Sequence, residues 1–227
     1  MLYRRGSSVR IEVWSDVVCP WCYLGKRRME SAIANFEHAD EVAVLWRSFE
    51  LNPDAPRKED MSVEEILSRK YGMSREEVRE MNARITALAE AEGLEYRLDR
   101  ARGANSFDAH RMIHLAAEHG IQGVMKERLM RAHFTESAAI GDPEELVRMA
   151  VEVGIEEGEA RNVVQSDRFA KEVRQDEADA AALGISGVPF FVIDGTWGIS
   201  GAQTTDVFAK ALDEMWAELH PAAVQKA

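Results

Sequence analysis

From Val9 to Trp14 apolar and polar side chains alternate, the two-residue period of a strand with one buried face. A turn over Ser15–Cys19 follows. Tyr23–Phe36 then carries apolar Leu24, Met29, Ala32, Ile33 and Phe36 near helical spacing. Val42–Trp46 is an almost unbroken apolar run, short enough to predict a strand of a sheet covered on both faces. Strand, helix and strand form a βαβ unit, whose crossover is expected to be right-handed.

The period then changes. Asn52–Pro56 reads as a loop, and from Ser62 to about Glu177 every periodic stretch is helical. Ser62-Val63-Glu64-Glu65 and Ser74-Arg75-Glu76-Glu77 have the form of capping boxes, and Gly93 offers a stop. Asn105–Asp108 opens a further helix running to about Gly120. Asp142-Pro143-Glu144-Glu145 opens another, with proline at its first position. Four to six helices are expected in this stretch. Strand character returns at Pro189–Ile193, followed by the hairpin signal Asp194-Gly195 and a returning strand over Thr196–Ile199. A last amphipathic helix, Thr204–Leu219, sets Val207, Phe208, Ala211, Leu212 and Met215 on one side. The layout is α/β: βαβ over residues 9–56, an all-helical insertion over 57–177, and ββα over 178–220.

Composition adds exclusions. Hydrophobic residues at 46% and charged residues at 30% suit a globular chain of 227 residues. The 28 basic against 40 acidic residues give a net charge of −12, which argues against nucleic acid or an anionic membrane as main partner. No segment approaches the ~20 apolar residues that cross a bilayer. Met1–Arg10 is polar and Ile11–Asp16 carries two acids, so the chain reads as cytoplasmic. Nothing in the composition sets an oligomeric state.

The two cysteines, Cys19 and Cys22, change the picture most. A secreted scaffold spreads its cysteines to staple loops, whereas a lone close pair in a cytoplasmic chain suggests redox chemistry. In Cys19-Pro20-Trp21-Cys22 the pair stands at a helix start, where unpaired N–H groups favour a thiolate. Cys19, at the cap, is expected to be exposed, ionised and attacking. Cys22, one turn in, is expected to resolve the mixed disulfide. Pro20 suits the first helical position, since its missing N–H would be unpaired there. Two other readings stand beside this one: half of a zinc site, which would need two histidines to complete it, or two inert buried thiols. Pro189, just before the third strand, removes a ladder hydrogen bond and so needs a reason.

The chain resembles a known family. Ser15-Asp16-Val17-Val18-Cys19-Pro20-Trp21-Cys22-Tyr23-Leu24-Gly25, Trp46–Pro53, Asn105–Arg111 and Gly184–Phe191 are similar, in order, to segments of the DsbA-like, FrnE-type oxidoreductases. The resemblance implies a thioredoxin-like fold with a large all-helical insertion, and disulfide exchange at Cys19 and Cys22 with no cofactor beyond that pair. It also implies a cis peptide between Val188 and Pro189 facing the cysteines, and partners that are protein or small-molecule thiols and disulfides. Two departures matter. Trp21 stands where the strongly oxidising periplasmic DsbA has histidine, and the second cysteine pair of some FrnE-type proteins is absent, so electrons must pass to or from an external thiol. The related 2-hydroxychromene-2-carboxylate isomerases and kappa-class glutathione transferases typically have serine where this chain has Cys19. That speaks against a glutathione-dependent isomerase or transferase while leaving glutathione as an exchange partner. A binding module on the same fold, without activity, would have no need of both sulfurs.

Other residues carry alternatives. Asp16 either passes a proton to and from the buried sulfur or only holds the turn. His110 and His114 share a helix face but lack a third ligand, so no metal is expected. The resemblance makes His110 and Arg111 walls of the active-site cleft; His114 reads as a helix-surface or packing residue.

Overall fold

The computed structural model of the protein describes residues 8–57 and 61–221; the polar residues 1–7 that bear on the cytoplasmic reading lie outside them. It contains β1 (Val9–Ser15), α1 (Pro20–Ala34), a short 3-10 turn (Ala39–Glu41) and β2 (Val42–Ser48). Seven helices follow: α2 (Val63–Tyr71), α3 (Arg75–Ala91), α4 (Phe107–Glu118), α5 (Gln122–Phe134), α6 (Pro143–Glu152), α7 (Glu157–Gln165) and α8 (Ala170–Ala182). The chain then closes with β3 (Phe190–Ile193), β4 (Trp197–Ser200) and α9 (Thr205–Leu219).

The four strands lie in the order β2-β1-β3-β4. β1 and β2 are parallel, with Val9 beside Val42 and Ser15 beside Ser48, while β3 and β4 run antiparallel to their neighbours. This places the β1–α1 turn and the residues just before β3 at the same end of the sheet, because Trp14 pairs with Phe190. The β3–β4 hairpin turns at Asp194 and Gly195, both with positive φ (48° and 73°), as the twist of a tight hairpin demands. One sheet face, with Val9, Ile11, Val13, Phe191 and Ile193, joins the main core with α1 and α9; Phe191 meets Phe208 edge-to-face at 4.7 Å. The other face sets Trp14 and Val192 against Ala180 of α8 and Ile185.

Several expectations are corrected. β2 is an edge strand, and Val42–Leu45 are only half-buried, because nothing pairs with its outer side in the described residues. α1 begins at Pro20, the first helical position expected for it, but ends at Ala34, two residues short of Phe36. Among the described residues seven helices, not four to six, separate β2 from β3. Three of them start without a Ser, Thr, Asp or Asn cap: α5 follows Ile121, α7 is capped by Glu156, and α8 follows Phe169 in the left-handed region at φ 64°. α8 also runs through residues 177 and 178, where the second boundary was expected, and it docks on the sheet. The Trp14 indole donates to Asp176 O (2.8 Å), and the Asp176 carboxylate accepts from Ser48 N (2.8 Å) and Arg47 (2.9 Å). In α9, Phe208, Ala211, Leu212 and Met215 are buried, but Val207 is 41% exposed.

Gly25 of α1 marks where the helix meets the loop before β3. A Cβ there would stand 3.0 Å from Pro189 Cγ, 3.3 Å from Phe191 and 3.4 Å from the Ala202 backbone. Overpacking typically costs ~1–3 kcal/mol, while alanine in place of a helical glycine returns up to ~1 kcal/mol. Gly25→Ala is therefore expected to lower stability by about 1–2 kcal/mol in chemical denaturation. A stabilised variant would show that the loop is not packed as described.

Candidate active site

Cys19 is the N-cap of α1 (φ −93°, ψ 114°) and Pro20 its first residue, so the chain enters the helix at the first cysteine. Its carbonyl accepts from Cys22 N at 3.0 Å, which brings the second cysteine one turn inside. Both are free thiols. The Cys19 Sγ–H points at Val188 O, 3.7 Å away, in the loop where the Val188–Pro189 peptide is cis. The Tyr96 hydroxyl donates to Pro20 O at 2.7 Å and ties the turn to the chain after α3. Trp21, by contrast, is 44% exposed.

The exposure expected of Cys19 is corrected: it is 4% exposed and Cys22 1%, because the Val188 loop closes over the helix start. Burial pushes the Cys22 thiol well above its ordinary value, and the neighbouring Cys19 sulfur pushes it further; Lys126 and the Asp16 backbone oppose this.

Asp16 is fully buried. Its carboxylate accepts from Leu51 N at 2.8 Å and from Val18 N at 3.3 Å, so it holds both its own turn and the chain leaving β2. Burial raises its proton affinity, but His110, the Leu51 amide and Ser106 outweigh that, and the carboxyl lies below its usual value. His110 Nε2 stands 3.4 Å from Asp16 Oδ1, yet among the described residues neither ring nitrogen has a well-formed hydrogen bond. Burial holds the imidazole below its ordinary value despite Asp16. The contact therefore joins a carboxylate to a neutral ring near pH 7.

Arg111 does not join His110 at the site. Its guanidinium binds Asp108 (2.6 Å) and the carbonyls of Arg168 (2.8 Å), Val163 and Ser166, and so pins the α7–α8 link. His114 lies between the sheet and α8, with Ser48 Oγ and Asp176 Oδ2 each 3.1 Å from its Nε2. Among the described residues no three His, Cys, Asp or Glu side chains gather as metal ligands would.

Sequence reasoning missed Tyr96, His133 and Lys126. His133 of α5 is 3% exposed, and burial lowers its pKa to about 4. Lys126, also of α5, is wholly buried. Its Nζ donates to Ser15 O at 3.0 Å and stands 5.7 Å from the centre of the Trp46 ring. The signal was present in α5, since Lys126 shares a face with Leu129, Met130 and His133, where a solvated lysine would not be placed. Beside the Cys19 turn, a cavity of about 240 Å³ is lined by Val18, Leu51, Ile66, Leu67, Ala104 and His133 among others.

Comparison with known proteins gives concordant results. The profile of the DSBA-like thioredoxin domain matches residues 10–213. The uncharacterized protein YwbO of Bacillus subtilis (strain 168) is 30% identical over 214 residues, spanning 91% of this chain and 97% of its own. Among solved structures, a probable DsbA oxidoreductase from Streptomyces coelicolor is 43% identical with a TM-score of 0.89, over 92% of this chain and 91% of that one. The cytosolic disulfide reductase DsbM from Pseudomonas aeruginosa, solved with GSH, is 17% identical with a TM-score of 0.63, over 91% and 98%; at that identity the likeness is one of fold.

Proposed function

The chain belongs to the DSBA-like thioredoxin domain family, and from that premise we propose that it exchanges thiols and disulfides through Cys19 and Cys22. The observation that carries the reading is the placing of two free thiols in the first turn of α1, with Cys19 Sγ against Val188 O beside Pro189. Cys19, as thiolate, attacks one sulfur of a disulfide R–S–S–R′. A Cys19–S–S–R bond forms, and R′S⁻ leaves with the electron pair and takes up a proton. Cys22 then attacks Cys19 Sγ and expels RS⁻, closing the Cys19–Cys22 disulfide. Two electrons have passed to the substrate, and run backwards the same steps oxidise a dithiol. With no further cysteine in the chain, an external thiol must restore the pair.

Protein disulfides and small thiols such as glutathione fit as partners. Trp21 is exposed and Val188 half-exposed beside the cysteines, so a docked chain would meet an aromatic and a backbone edge there. The lone cysteine pair supports a reducing, cytoplasmic setting. Asp16 and His110, buried beneath the turn, would steady it and offer a place for a proton in transit. Insulin reduction with dithiothreitol, followed by turbidity, tests the reading: the chain should accelerate precipitation well beyond dithiothreitol alone. Unaccelerated reduction, with glutathione as donor too, would leave a binding module as the better account.

A further inference from the structure

The proposed exchange has a step that the cysteine pair alone does not supply. Resolution of the mixed disulfide needs Cys22 as a thiolate, yet Cys22 is 1% exposed and its burial favours the thiol. Some positive charge must offset this. Lys26 of α1 is equally buried, but Glu30 and Glu127 neutralise it. His110 faces the site as a neutral ring. Lys126 is different: it is wholly buried, makes no salt bridge among the described residues, and spends one of its three donors on Ser15 O. Burying a lysine without a paired carboxylate is costly, and its ring neighbour Trp46 would pack as well against a methionine.

We propose that Lys126 is a positioning residue of the exchange reaction: from α5 it holds a positive charge on Ser15 O, where the turn that carries the cysteine pair leaves β1, and favours the Cys22 thiolate in the resolving step. The inference rests on the disulfide-exchange reading. The groups that face Lys126 agree with it. Burial, the largest influence, lowers the ammonium's pKa to about 8 and Lys26 adds to it, while Cys22, Asp16 and Cys19, in that order, favour its charge. In the step itself, the Cys22–Cys19 S–S bond forms and the Cys19–S–R bond breaks. The leaving RS⁻ ends as RSH with the proton that Cys22 gave up to solvent, and Lys126 stays charged throughout.

The experiment uses Ellman's reagent: attack by Cys19 releases one coloured aryl thiolate and leaves the other, colourless while bound, in mixed disulfide with Cys19. Release of the second aryl thiol reads the resolving step, and the first release reads attack by Cys19. In the wild type the resolving rate should rise with pH and then break near pH 8, as Lys126 loses its proton. Lys126→Met should slow the second release at least tenfold at pH 7, change the first less than threefold, and remove the break. Lys126→Gln, which keeps a donor for Ser15 O, should behave like Lys126→Met if charge is the cause. Lys126→Arg, if folded by circular dichroism, should keep a fast second release and carry it past pH 8. A folded Lys126→Met or Lys126→Gln with wild-type resolution and an unchanged pH profile would overturn the proposal. So would a wild-type profile with no break, should the variants not fold. A wild type that never releases the second thiol would instead refute the exchange reading itself.

Discussion

Cys19→Ser is expected to abolish insulin reduction, and Cys22→Ser to accumulate protein partners covalently held on Cys19. The asymmetry follows from position. Cys19 caps α1 and its sulfur meets the Val188 loop, whereas Cys22 lies one turn deeper and is the less exposed of the two. A serine hydroxyl cannot form a disulfide, so loss of the first sulfur removes the only route in. Loss of the second leaves the first attack intact and removes the intramolecular release, whose advantage over an external thiol is one of effective concentration. Non-reducing gels of cell extract, with mass spectrometry of the trapped bands, read the outcome. Adducts on Cys22 in the Cys19→Ser protein, or full turnover by Cys22→Ser, would reverse or abolish the assigned roles. Because Cys19 is only 4% exposed, alkylation by iodoacetamide should be slower than that of a surface thiol, though still faster than at Cys22.

The parts of this site that stand close in the chain were legible in the sequence. The cysteine pair with its proline, the hairpin at Asp194-Gly195 and the capping boxes of α2 and α3 are local signals, and each is where it was expected. What escaped depends on contacts between distant residues. Lys126 reaches Ser15 across 111 positions, Asp16 reaches Leu51 across 35, and Trp14 reaches Asp176 across 162. Periodicity reports which face of an element is apolar, not which neighbour will cover it. For the same reason β2 read as a fully covered strand, when its apolar run in fact lies half-covered at a sheet edge. Arg111 was placed at the cleft with His110 by the resemblance, yet adjacent helix positions face directions about 100° apart, and its guanidinium turns to the α7–α8 link.

Asp16 joins these levels, and its replacement is the second large effect expected. Asp16→Ala should cost about 2–6 kcal/mol of stability, since two part-buried amides lose their charged acceptor at about 1–3 kcal/mol each. It would strip the Leu51 and Val18 amides of their acceptor and remove a carboxylate that favours the Lys126 charge. Asp16→Asn keeps an acceptor oxygen for Leu51, so it should cost less, about 1–2 kcal/mol, the worth of exchanging a charged for a neutral hydrogen bond. The pH dependence has a definite sign. The folded Asp16 carboxyl lies below its usual value of 3.8, so its contribution is complete above that pH and is lost only as pH falls through the lower folded value. The gap between wild type and Asp16→Ala in urea denaturation should therefore be constant from pH 5 to 7 and close only in strong acid. If Asp16→Ala unfolded at the wild-type urea midpoint at pH 7, the two amides would have other partners. A buried carboxylate beside Cys19 with no part in holding the turn would then be there for the proton that exchange must move.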